Sequence, residues 1–359
     1  MNRKINVLIF EHTSSHSELL YSQIKFLDEH NQAIHLWINN KSDTSDLTLA
    51  RLTLVDPSHS KYKTFYRFIR YIVAQKIDVI VFNTSHGLFI RDLSILLLLS
   101  KVKTFGILHQ ADKLMHSFTQ KVISLKVKNY FVLNDFVLEW LNKNYKSDKI
   151  KFSSFYPIYF PERFYSKREQ QSYIVFCIPG AIEPERKDYD FLISYLQNSK
   201  SEISNRIKFK LLGNISSDNG KQLYAKLSAN KIENRFITFN SYVTNEVFFK
   251  EIINSDFIFP LIRPSGKHFK AFYETGISGA FSLALGFNKP LLLHEQFRTN
   301  DDYINVSVFY NEENLSETLN SIMTNQLLIS QLENAYQNIP KLNFQLQAKR
   351  YNDFISTCL

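Results

Sequence analysis

The stretch Tyr273–Leu293, YETGISGAFSLALGFNKPLLL, reads as a loop, a helix opened by Gly276 and Gly279, and then a buried apolar strand. Glycines at a helix start leave backbone N–H groups bare where the positive end of the helix dipole favours an anion. Thr275 and Ser278 add hydroxyls beside them. The segment predicts an α/β unit whose first expected ligand carries a diphosphate.

Working outward, strand-length apolar runs alternate with helix-length segments along the whole chain. In the first half the strands are expected at Ile5–Phe10, Ile34–Ile38, Ile77–Phe82, Lys103–Leu108 and Asn129–Leu133. After the aromatic and proline-rich stretch Pro157–Pro161, which reads as a linker, they are expected at Tyr173–Cys177, Lys208–Leu212, Phe236–Phe239, Phe257–Leu261 and Pro290–Leu293. Strands separated by helices imply parallel sheets, so the fold class is α/β, with two Rossmann-like doubly wound domains facing a central cleft. Domain boundaries are expected at 1–165 and 166–340, with 341–359 forming a C-terminal helix that returns to the N-terminal domain. In such folds ligands sit beyond the carboxyl ends of the strands.

Composition narrows the class. The chain has 359 residues, 44% of them apolar, enough for two cores, and a net charge of +9 that favours anionic partners. No zinc-finger, RNP or helix-turn-helix pattern points to nucleic acid. Cys177 and Cys358 lie too far apart in sequence for metal-ligand spacing and are too few for a disulfide framework, so a cytoplasmic setting is expected. INVLIF near the N-terminus is too short for a signal segment, and no run approaches membrane-span length. The segment KYKTFYRFIRYIVAQK predicts an amphipathic helix with Tyr62, Phe65, Tyr66, Ile69 and Val73 on one stripe and Lys63, Arg67 and Arg70 opposite. It is an ordinary packed helix or, if Phe68 and Tyr71 face outward beside the arginines, a contact with an anionic membrane surface. HExxH, Walker and GxGxxG patterns are absent, and Asp188-Tyr189-Asp190 reads as helix-start charge rather than a metal site.

The order of IPGAIEPERKDYDFLISYL, KLLGNIS, RFITFNSYVTNEVFFKEIINSDFIFPLI and ETGISGAFSLALGFNKPLL resembles the donor-binding half of GT-B nucleotide-sugar glycosyltransferases. It is most similar to the large retaining group 1, or family 4-like, enzymes. The resemblance covers Tyr173–Leu293 well and the N-terminal half in outline. It implies a metal-independent transferase without a cofactor, moving a sugar from a nucleotide-diphosphate sugar to a saccharide or lipid-linked acceptor. The basic, aromatic N-terminal surface would suit an acceptor held at the inner face of a membrane, as in cell-surface polysaccharide synthesis.

Carried over by position, Gly180 turns the chain after the first donor-domain strand, and Arg186 or Lys187 meets the donor phosphates. Ala181 stands where the family commonly has an arginine, and Arg263, Lys267 or Lys270 would replace it. Glu274 matches the first Glu of the paired motif and would face the donor sugar, with Thr275, Gly276, Ser278 and Gly279 on its phosphates. The second Glu is Ser282 here, a weaker partner for ribose. Asn214, Tyr242 and Val243 fall where backbone meets the nucleobase. The loop EHTSSHSELL after the first strand lacks the glycine pair many relatives have, but its Ser15 and His16 supply hydroxyl and imidazole donors for an acceptor; His109 matches the place where relatives carry a histidine near the transfer centre, and His86 competes for that role. These residues also have ordinary structural roles: Ser15 as a helix cap, Glu274 as a favourable helix-start charge, the histidines as hydrogen-bonded strand ends. Because of Ser282 and Ala181, two alternatives stay open: a catalytically inactive scaffold of the same fold, and a sugar-nucleotide epimerase on a related fold.

Overall fold

The computed structural model of the protein describes residues 4–13, 16–56, 60–169, 171–198, 206–264, 266, 269–325 and 327–359. The chain divides into two compact units. One comprises Met1–Tyr159, Glu274–Ile277 and Lys341–Leu359; the other comprises Phe160–Tyr273 and Ser278–Pro340.

The first unit is built on strands β1 (Asn6–Glu11), β2 (Ala33–Asn39), β3 (Arg51–Val55), β4 (Val79–Phe82), β5 (Lys103–Ile107), β6 (Asn129–Val132) and β7 (Lys151–Ser154). They form one parallel sheet in the order β3-β2-β1-β4-β5-β6-β7. β1 is central, with Ile9 opposite Leu36 on one side and Val81 on the other. Its side chains alternate between two cores: Val7 and Ile9 pack with Val79 and Val81, while Leu8 and Phe10 pack with Ile80 and Phe82. A parallel strand buried on both faces reads as a continuous apolar run, which is why INVLIF was legible.

The second unit repeats the plan with β8 (Ile174–Ile178), β9 (Ile207–Asn214), β10 (Phe236–Phe239), β11 (Phe257–Ile258), β12 (Leu291–His294) and β13 (Ser307–Tyr310), in the parallel order β10-β9-β8-β11-β12-β13. In each sheet the strand order reverses beside the first strand of the unit, so the loops there diverge and leave room for polar groups.

Several sequence expectations are corrected. β3, β7 and β13 were not anticipated; each is short, and each ends or borders a sheet edge where one face needs no apolar residues. The run Phe257–Leu261 pairs as a strand only at Phe257–Ile258, because Pro260 has no N–H and Leu261 turns the chain at φ 50°. Ala271–Thr275 winds as a π-helical turn rather than a loop, and the next helix is Gly279–Gly286. Gly279 alone opens that helix. Gly276 instead forms an antiparallel bridge with Gln110.

The helix Lys61–Ala74 buries Thr64, Phe68 and Ile72, while Tyr62, Tyr66 and Val73 of the expected apolar stripe are exposed. Phe68 cannot face a membrane, because it packs edge-on against Phe10 at 4.9 Å and Trp37 at 5.3 Å.

The helix Phe344–Ser356 belongs to the first unit. Asn343 caps it by accepting from the Leu346 N–H at 3.1 Å. Tyr351 stacks on Phe131 with centroids 4.5 Å apart, and its hydroxyl donates to Gln23 Oε1 at 3.0 Å. Gln347 Oε1 accepts from the Tyr156 N–H at 3.0 Å, and Asn352 Nδ2 donates to the Phe26 carbonyl at 2.6 Å.

Truncating a buried aromatic of this kind costs about 3–5 kcal/mol. Removing only its hydroxyl strands Gln23 and costs about 1–3 kcal/mol. Denaturant unfolding of Tyr351→Ala and Tyr351→Phe should show losses in that order; equal stability of Tyr351→Ala and wild type would refute a core role for the terminal helix.

Candidate functional site

The carboxyl end of β1 carries a carboxylate instead of an apolar residue. Glu11 is 1% exposed, a position a charge occupies only when its oxygens are satisfied. Its Oε1 accepts from the Thr13 N–H at 2.7 Å and the Thr13 hydroxyl at 2.6 Å. Its Oε2 accepts from Asn83 Nδ2 at 2.9 Å and from the Thr84 hydroxyl. Asn83 follows β4 and is fully buried. Besides Glu11 it donates to the His16 carbonyl at 2.8 Å, and its Oδ1 accepts from Gln23 Nε2 at 2.7 Å.

His109, just beyond β5, donates from Nε2 to the Asn83 carbonyl at 2.8 Å. A carbonyl only accepts, so this bond places the proton on Nε2 and leaves Nδ1 as an acceptor. The His16 ring stacks on His109 with centroids 3.7 Å apart. Burial first, and then the neighbouring His16, His86 and Lys113, push His109 down to about 3. His86, at the start of the helix Gly87–Leu96, is also held below the usual histidine range, by burial and then by Lys113. Burial lowers Lys113 itself. The structure thus brings His16, His86 and His109 into one electrostatic cluster. Ser15 lies outside the described residues.

The same edge receives the Glu274–Ile277 segment. The Ala111 N–H donates to the Thr275 carbonyl at 2.7 Å, Gln110 bridges Gly276, and the Thr275 hydroxyl reaches Asp112 Oδ1 at 3.5 Å. Thr275 and Gly276 are therefore pinned to the loop that follows His109. Glu274, half-buried, stands one residue before them.

In the second unit the corresponding edge lies beyond β8 and β11. Gly180 turns at φ 85°, a conformation that suits glycine. Lys187 curls back on this turn, its Nζ 2.7 Å from the Pro179 carbonyl, 2.8 Å from that of Ala181 and 3.3 Å from that of Gly180. Burial pushes it down to about 8. All three ammonium hydrogens face the lysine's own loop, so Lys187 shapes that loop. Arg186 lies further out: its guanidinium sits 5.0 Å from the Phe272 ring centroid and pairs with Glu183 at 2.8 Å. Arg263 pairs with Asp188 and Asp190, so the D-x-D is the charged start of the helix Tyr189–Asn198.

Ser278 occupies the N-cap of Gly279–Gly286 without a side-chain cap bond, and a Cβ built on Gly279 would meet nothing within 4 Å. That helix start is open. Ser282, one turn on, is only 7% exposed. Asn214 ends β9 with its side chain accepting from the Ser216 N–H at 2.9 Å; Tyr242 is 81% exposed, Val243 half-buried and Lys270 exposed. Lys267 lies outside the described residues. Among the described residues no group of three His, Cys, Asp or Glu converges to hold a metal ion.

Sequence reading missed Glu11, Asn83, Thr84 and Lys113. The available signal was a polar residue directly following each buried run, NVLIF–Glu11 and VIVF–Asn83, but their neighbourhood depends on β1 lying beside β4.

The depressed His109 predicts a pH dependence. Below about pH 6.5 the unfolded imidazole binds a proton that the folded one refuses, so this contribution is complete above 6.5 and is lost as pH falls toward about 3. The fall in the denaturant midpoint across that window should be smaller in His109→Gln than in wild type, and an unchanged slope would contradict the buried neutral ring.

No family model and no curated protein sequence matches the chain. Solved structures that share its architecture over nearly its whole length include the following three. A glycosyltransferase from Rickettsia africae ESF-5 is 12% identical, with 99% of each chain covered and a TM-score of 0.67. Anabaena Alr3699/HepE in complex with UDP is 11% identical over 98% of this chain and 100% of its own, with a TM-score of 0.69. The UDP-GlcNAc 2-epimerase from Neisseria meningitidis bound to UDP-GlcNAc is 14% identical over 98% and 99%, with a TM-score of 0.58. At these identities the likeness concerns the fold, and the two doubly wound parallel sheets of this chain match the GT-B architecture of its glycosyltransferase neighbours.

Proposed function

We propose that the protein is a nucleotide-sugar glycosyltransferase of the retaining, metal-independent kind. The observation that carries this reading is the pinning of Thr275 and Gly276 beside the His109 loop, which sets Glu274 on the same unit as the histidine cluster. Structures of this fold hold UDP and UDP-GlcNAc, so a UDP-sugar is the donor of choice.

In this reading Arg186 offsets charge on the departing diphosphate, Lys187 holds the Gly180 turn, and the open N–H groups at Gly279 with Thr275 and Ser278 receive phosphate oxygens. Asn214, Tyr242 and Val243 meet the base, Ser282 the ribose, and Lys270 supplies further positive charge. Glu274 aligns the sugar. Transfer breaks the bond from the anomeric carbon to the diphosphate oxygen and forms one to the acceptor oxygen; the acceptor's proton leaves with the diphosphate. A histidine held near 3 accepts a hydrogen bond but no proton at neutral pH, so His109 orients the acceptor hydroxyl through Nδ1, beside His16 and His86.

The acceptor is a saccharide or a lipid-linked saccharide, in cell-surface polysaccharide synthesis on the cytoplasmic side. No helix among the described residues is long and apolar enough to cross a membrane. Association with an anionic membrane would use the exposed Tyr62, Tyr66 and Val73 with Arg70, whose guanidinium lies 5.7 Å from the Tyr66 ring centroid.

A second reading, a UDP-sugar epimerase, is favoured by the whole-chain likeness to such an enzyme and by a second carboxylate, Glu11, on the unit that carries Glu274.

Calorimetry with UDP, GDP, ADP and CDP should show micromolar binding of one nucleotide, weakened at least about ten-fold in Arg186→Ala/Lys187→Ala. Glu274→Ala should keep that binding and lose at least about a hundred-fold in turnover. Conversion of UDP-GlcNAc to an isomer without acceptor would move the assignment to the epimerase; no nucleotide binding at all would leave only a scaffold.

A further inference from the structure

At the opposite end of the first sheet, the amino ends of β5, β6 and β7 surround a cavity of about 440 Å³. Six of its lining residues are Lys101, Lys103, Lys126, Lys128, Lys149 and Lys151, and no carboxylate and no aromatic ring lines it. Their clustering follows from the topology. Lys103 and Lys151 begin strands, Lys128 precedes one, and Lys126 ends the helix Phe118–Lys126, so elements distant in sequence converge their amino-end charges on one hollow.

Two of these cations have structural work. Lys126 Nζ donates to the Ser100 carbonyl at 2.7 Å and Lys128 Nζ to that of Ser124 at 2.6 Å, holding loop and helix end together. Lys101, Lys103, Lys149 and Lys151 are exposed, and among the described residues none of them is ion-paired. Burial, and then the charge of Lys103, already holds Lys126 below the usual lysine range. The cations crowd one another, and a multiply charged anion in the hollow would relieve that repulsion.

We infer that this lysine-lined cavity is a second anion site, separate from the candidate active site, which takes a ligand presenting clustered phosphate groups. Ammonium groups are compact charges suited to phosphate, and the absence of an aromatic ring leaves nothing on which a base would stack. The five-residue strand β5 spans about 16 Å at ~3.3 Å per residue and His109 lies beyond its far end, so the two ends of the sheet bind independently.

The test uses tripolyphosphate as probe, with the full chain and the surface variant Lys103→Gln/Lys149→Gln/Lys151→Gln, whose thermal unfolding should match wild type. Calorimetry should give one site per chain, weakened at least about ten-fold in the variant and by added salt, and not displaced by excess UDP. In parallel, sedimentation with phosphatidylglycerol and with phosphatidylcholine vesicles identifies the source. Variant-sensitive binding to the anionic vesicles alone assigns the phosphates to lipid headgroups, and binding to tripolyphosphate alone assigns them to a soluble ligand. Displacement by UDP, or equal behaviour of wild type and variant with both probes, would overturn the site. UDP affinity unchanged in the variant keeps this result distinct from the transferase reading.

Discussion

Asn83 is the residue on which the first unit turns. Its side chain donates to Glu11 and to the His16 backbone and accepts from Gln23, while its own carbonyl accepts from His109 Nε2–H. Gln23 in turn accepts from Tyr351. One buried network therefore links the terminal helix, the helix Leu20–Glu29 and the loops after β1, β4 and β5. Because Glu11, Asn83, Gln23 and Tyr351 pair with one another or with their neighbours, these polar groups can sit buried; removing one strands its partner in a place water does not reach. The same bonds fix the tautomer and tilt of His109, so the requirement that holds the fold together also orients the imidazole.

The second unit uses one topology for different chemistry. Where the first buries a carboxylate at the reversal of strand order, the second folds Lys187 back over three carbonyls of its own turn. Gly213 at the end of β9 lets that turn close, since a Cβ there would come within 2.8 Å of the Gly180 carbonyl. A lysine so held contributes shape and charge more than free donors, and Arg186, further out, keeps more freedom to meet a ligand.

Transferases and epimerases share this architecture, so the fold alone does not choose between them. The choice lies in side chains at the sheet edges. The proposed orientation of a hydroxyl by His109 asks only for an acceptor nitrogen on a neutral ring, while abstraction of a carbon-bound proton needs a stronger base. Glu11, with both oxygens fully engaged, serves the network first.

The sequence by itself determined the α/β class, the two series of strands and the interior ones among them, because a parallel strand buried on both faces must be apolar throughout. It also carried Gly279 and the charged start at Asp188–Asp190, since helix-start chemistry is local, while the Gly180 turn came with the family resemblance. Only the tertiary structure decided which loops meet. β1 lies beside β4, so Glu11 reaches Asn83, 72 residues away in sequence, and Thr275 reaches Asp112, 163 residues away. It likewise rotated the helix Lys61–Ala74 to bury Phe68, removed Gly276 from the helix start and gathered six lysines at one edge. Periodicity records which face of an element is buried against some neighbour; hydrogen bonds and charges between distant segments depend on strand order, which no local pattern encodes.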